Sequence, residues 1–141
     1  MNANTLKAID RHGRSLLQAF PNATEKNPVA LCKKLRRIET AIARPLTDYC
    51  NGTIGIEAVD NATDAALLRV RRLLGLTEAG AVAIGLFINR DPRGYAIKLD
   101  DAWTREYNSD KYTAEGLPLY RDWGGYGIIA PDLTVESAVA A

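Results

Sequence analysis

Residues 83–99 read Ala83-Ile84-Gly85-Leu86-Phe87-Ile88-Asn89-Arg90-Asp91-Pro92-Arg93-Gly94-Tyr95-Ala96-Ile97-Lys98-Leu99, and this stretch decides the fold. An apolar, β-branched run stops at Asp91-Pro92-Arg93-Gly94. Asp at the first position of a type I turn, Pro at the second with φ already set, and Gly at the fourth are the residues such a turn favours. The chain then returns with Tyr95, Ile97 and Leu99 alternating along one face, which predicts a β-hairpin.

Upstream of the hairpin the periodicity is helical. Leu6, Ile9, Leu16, Leu17 and Phe20 recur at helical spacing between Thr5 and Phe20, with Gly13 standing on the same stripe, so a first helix loosened at its middle is expected. Asn27-Pro28 reads as an N-cap followed by proline at the first helical position. Leu31, Leu35, Ile38, Ile42, Leu46 and Tyr49 then run down one side of a long second helix, with a kink expected at Pro45 and a stop at Asn51-Gly52. A third helix is expected to start near Asp60 or Asn61, to bury Ala66, Leu67, Val70, Leu73 and Leu74, and to end at Gly75.

Downstream, Asp100 to Tyr107 suits a short helical turn and Asn108 to Gly116 a polar loop. Gly127 to Ala130 suits a third strand stopped by Pro131. The fold class is therefore α+β: a helical N-terminal half of about three helices, the second long and kinked, packed on a small antiparallel sheet made of the central hairpin and one C-terminal strand. One domain, 1–141, is expected. Within it, residues 1–75 are helical, residues 81–132 carry the hairpin, an aromatic loop and the short strand, and the tail 134–141 frays. At this length no disulfide or metal is needed to hold a core.

The 18 basic and 17 acidic residues give a net charge of +1, which argues against a partner held by bulk electrostatics. The polar N-terminus Met1-Asn2-Ala3-Asn4-Thr5 lacks a secretory core, and no apolar run approaches the roughly 20 residues that span a bilayer. A cytoplasmic protein without membrane contact is expected. Its sequons at Asn22, Asn51 and Asn61 then mark helix ends rather than glycans. Cys32 and Cys50, on one predicted helix and about 27 Å apart, are expected to be reduced, small buried thiols.

Two clusters stand out as a binding surface. One is Asn89, Arg90, Asp91, Arg93 and Tyr95; the other is Arg121, Asp122, Trp123 and Tyr126. Eight of the ten aromatic residues follow residue 86, and rings beside arginines can stack a planar ligand or anchor a protein. The contact set is Asn89, Arg90, Arg93, Tyr95, Arg121, Trp123 and Tyr126, for a host protein or a small anionic, nucleotide-like ligand, with arginine offering forked bonds to carboxylate or phosphate. An enzyme would use Asp91 or Asp122 as acid or base, with Arg93 or Arg121 stabilising charge. Nucleic acid would be held on the basic helical faces by Lys33, Lys34, Arg36, Arg37, Arg69 and Arg72, although charges opposite an apolar stripe are what any surface helix shows.

No cofactor or metal is expected. Trp123-Gly124-Gly125-Tyr126-Gly127 fits neither G-x-G-x-x-G nor G-x-x-x-x-G-K-[ST]. The acidic residues of the second half have no ligand spacing, and the one histidine, His12, reads as a surface or partly buried group. The segments Phe87 to Lys98 and Asp122 to Pro131, with Asp48-Tyr49-Cys50-Asn51-Gly52, resemble a signature of small uncharacterised proteins encoded by bacteriophages and mobile elements. That resemblance implies the cytoplasm of an infected or carrier bacterium. It also implies an accessory or counter-defence role exerted by binding, and carries no catalytic residue with it.

Overall fold

The computed structural model of the protein describes residues 3–91, 94–99, 121–122 and 125–129. Four helices, α1 (Ala3–Ala19), α2 (Pro28–Cys50), α3 (Ile56–Leu73) and α4 (Glu78–Ala83), precede strands β1 (Phe87–Asp91), β2 (Gly94–Leu99), β3 (Arg121–Asp122) and β4 (Gly125–Gly127). The sheet is antiparallel in the order β1-β2-β4-β3. The fold is the expected α+β arrangement, mostly helical beside a small sheet. None of the described helices is long and apolar enough to cross a membrane.

Helix α2 is the spine: it packs against α1, α3 and β2, while α3 also reaches β1. Its start is fixed locally, because the Asn27 side chain accepts the Ala30 N–H at 3.0 Å and Pro28 has no N–H to leave unsatisfied. The helix runs on through Pro45 to Cys50. Its apolar stripe is buried as far as Ile42, half-buried at Leu46 and exposed at Tyr49, so the last turn passes beyond the core that the first four turns help to form.

Gly13 does not loosen α1. It is buried at the crossing with α2, where a β-carbon would lie 2.2 Å from the Pro28 carbonyl oxygen. At this stripe position the missing side chain lets the backbone of α1 come up against the first residue of α2. Its neighbours Ile9 and Leu16 are fully buried and join Leu31, Leu35, Val70 and Leu74 in one core with Ile97, Leu99 and Ile128.

Helix α3 begins at Ile56, earlier than Asp60, because Gly55 at the N-cap takes an extended conformation and Glu57 places a carboxylate in the first turn. Asn61 therefore lies inside the helix and not at its end. Gly75 ends α3 with φ +68, and the Gly75 and Leu76 amides close back on the Arg72 and Arg71 carbonyls. The same turn is sewn to the loop after α1, since the Thr24 N–H donates to the Leu73 carbonyl at 2.9 Å. Helix α4, which apolar spacing did not reveal, is one short element whose N-cap Thr77 accepts the Gly80 N–H at 3.0 Å.

In the sheet, Asp91 pairs with Gly94 across a two-residue connection, as the hairpin reading requires. The C-terminal strand is shorter and earlier than expected: β4 ends at Gly127, and β3 forms a second hairpin with it. The expected helical turn, polar loop and fraying tail lie outside the described residues.

Candidate functional site

The register fixes where the two proposed clusters stand. Arg90 is paired with Tyr95 across β1 and β2, and Arg121 with Tyr126 across β3 and β4. Because Tyr126 is opposite Leu99, four residues along β2 from Tyr95, the two Arg–Tyr pairs are offset by about 14 Å along the strand direction. Asp91 paired with Gly94 closes one end of the sheet, and Asp122 paired with Gly125 closes the other, roughly 20 Å away. Each cluster is assembled by its own hairpin, and the backbone holds them at opposite ends of the sheet. Arg93 and Trp123 lie outside the described residues.

Asn89 is set apart from the pairs. Its register partner is Ala96, and alternation gives it the parity of Phe87 and Lys98. It is half-buried, and its Nδ2 has no hydrogen-bond acceptor among the described residues. Lys98, on the same face, is fully buried.

The polar centre of the described fold lies elsewhere, in residues that carried no signal of chemistry. His12 is 1% exposed and Glu39 is 4% exposed. In the regular ladder, Ile97 and Ile128 would exchange two hydrogen bonds as the next pair after Lys98 and Gly127. One forms: the Ile128 N–H donates to the Ile97 carbonyl at 3.1 Å. The other is replaced from both sides. The Ile97 N–H donates to Glu39 Oε2 at 2.7 Å, and His12 Nε2 donates to the Ile128 carbonyl at 2.6 Å. A carboxylate from α2 and an imidazole from α1 thus take the two halves of one strand-to-strand bond. The assignment places a proton on Nε2, since a carbonyl can only accept.

Glu39 Oε1 accepts from Arg36 Nη1 at 2.9 Å, and the Arg36 side chain is mostly covered. Arg36 therefore does not belong to a solvent-facing basic surface. Of the other cations proposed for nucleic acid, Lys34 is held by Glu25 at 2.8 Å, Lys33 is half-buried, and Arg37, Arg69 and Arg72 are exposed. The Glu25 carboxyl is held below its ordinary pKa, first by the hydrogen bond to Lys34.

The buried thiol is chemically quiet. Cys32 donates to the Ile9 carbonyl at 3.7 Å, and burial pushes its pKa up from 9.0 to about 12. Cys50 is exposed, contrary to the expectation for both cysteines. A thiol reagent near neutral pH is therefore expected to label Cys50 and spare Cys32 in the native protein. The raised value has a stability consequence with a definite sign. The folded state holds the proton that the unfolded chain gives up above its ordinary cysteine value, so stability should fall between pH 9 and 12 by up to about 1.4 kcal/mol per pH unit. Denaturant titrations of wild type and Cys32→Ala across that range check this; the variant should lose that slope.

His12 and Glu39 were legible in one respect. His12 is three residues after Ile9 and four before Leu16, and Glu39 is four after Leu35 and three before Ile42, so both lie on apolar stripes. Among the described residues, no group of three or more His, Cys, Asp or Glu side chains is placed to hold a metal ion. Comparison with protein-family models, with curated proteins and with solved structures finds no match.

Proposed function

We propose that the chain is an intracellular accessory protein of the bacteriophage or mobile-element kind that binds a host protein through its two Arg–Tyr pairs. The observation that supports this reading is the register. It repeats an arginine opposite a tyrosine on each edge strand, Arg90 with Tyr95 and Arg121 with Tyr126, offset by about 14 Å along the strands. A nucleotide-sized anion can engage one pair. A protein patch of the usual extent, roughly 800 Å² a side, spans both. Arginine and tyrosine are also the residues in which binding energy concentrates at such patches.

The test is cross-linking in extracts of a carrier bacterium with wild type, Arg90→Glu, Arg121→Glu and the double variant, each shown by its melting curve to be folded. A host protein captured by wild type should be weakened by either single change and lost with both. About 2 kcal/mol for each arginine, roughly 30-fold in affinity, is the expected size. Retention of the same partner by the folded double variant overturns the reading. Loss through one arginine alone, with a nucleotide raising the melting midpoint, replaces the host protein by a small ligand at one hairpin.

A further inference from the structure

Away from the sheet, a groove of about 630 Å³ runs beside α1, lined by Leu6, Lys7, Asp10, Arg11, Arg14 and Val29. Its charges are unequal. Asp10 is committed to Arg14 at 2.9 Å, and no carboxylate among the described residues is in ion-pair reach of Lys7 or Arg11. Lys7 and Arg11 stand at i and i+4 on one helix face, an arrangement of like charges that disfavours a helix and is relieved by an anion between them. The floor is aliphatic. Val29 packs on the core from its outer side, whereas half-buried Leu6 is not among the residues packed against that core. Leu6 and Val29 give the groove its apolar lining.

We infer that this groove binds an aliphatic anion, a chain with a phosphate or carboxylate head. The head lies between Lys7 and Arg11, and the chain lies over Leu6 and Val29. The two cations are four residues, about 6 Å of helix, apart, a spacing that one head group can bridge. The volume is that of a small-molecule site. The apolar lining residues that are described, Leu6 and Val29, are aliphatic and suit an aliphatic body. The head could belong to a free amphiphile or to a lipid in a membrane surface; the chemistry met by Lys7 and Arg11 is the same.

The full chain is titrated with decyl phosphate below its micellar concentration, with inorganic phosphate, and with neutral decyl maltoside, following amide shifts by NMR. Decyl phosphate is expected to saturate with shifts centred on residues 6–14 and 29. Inorganic phosphate and decyl maltoside are each expected to bind at least about tenfold more weakly, since each supplies half of the interaction. Lys7→Glu/Arg11→Glu, both exposed positions, and Leu6→Asn should each weaken decyl phosphate about tenfold or more with the melting midpoint retained. Co-sedimentation with phosphatidylglycerol vesicles, lost in the charge-reversed variant, assigns the head to a membrane lipid. Binding of decyl phosphate without co-sedimentation assigns it to a free amphiphile. Equal binding of decyl maltoside, unchanged affinity in the charge-reversed variant, shifts centred elsewhere, or no binding overturns the inference.

Discussion

Glu39→Ala is expected to destabilise the protein by about 3–5 kcal/mol, the cost of breaking a buried charged pair while leaving its partners in place. The carboxylate does two jobs from one position: Oε1 faces Arg36 and Oε2 takes the Ile97 amide. Without it a strand N–H inside the core loses the acceptor it has in the native structure. Glu39→Gln keeps an acceptor for Ile97 and should cost less, about 1–3 kcal/mol. Urea unfolding monitored by circular dichroism measures both. A loss below about 1 kcal/mol for the alanine variant would show that the ladder closes on itself once the carboxylate is gone.

Gly13→Ala is the second large effect, and its sign runs against helix propensity. In an exposed helix interior the change would stabilise by about 1 kcal/mol. Here the added methyl would sit 2.2 Å from the Pro28 oxygen and 2.5 Å from its carbonyl carbon. Both are backbone atoms at the start of α2, so no rotamer relieves the overlap and the two helices must separate. A net loss of about 3 kcal/mol is expected, at the upper end of what overpacking costs. Gly52→Ala is the control. Nothing lies within 4 Å of a β-carbon there, so the positive φ alone should cost about 1 kcal/mol. Equal losses at the two glycines would show that the helix crossing is not the constraint.

These two sites also show where the sequence can be read and where it cannot. The hairpin is legible because its turn is local: Asp91, Pro92 and Gly94 act on their own backbone. Helix α2 is legible for the same reason, through Asn27 and Pro28 at its start. The start of α3 is displaced from the expected position because an extended glycine caps it where a polar side chain was sought. Gly13 and His12 escape a local reading because what each meets, Pro28 or Ile128, is brought there by tertiary packing that no window on α1 contains. Glu39 shows only its place on the apolar stripe, because its acceptor role is defined by a main-chain amide 58 residues away. Of the proposed contact residues, the pairing of Arg90 with Tyr95 follows from the turn, whereas the distance between the two clusters depends on how β4 docks against β2, which composition does not encode.

The split rung at Ile97 and Ile128 has a consequence for the order of assembly. Its two inserts reach across 58 and 116 positions of sequence, whereas the α1–α2 pairing and each hairpin draw on near neighbours that are cheaper to bring together. During synthesis the first two helices are complete long before residue 128 leaves the ribosome. The two side chains that complete the rung, His12 and Glu39, both belong to those helices. A slip of the C-terminal segment would offer His12 the wrong carbonyl, and a slip of β2 would offer Glu39 the wrong amide, so each of the two helices is matched to the alignment of a different strand.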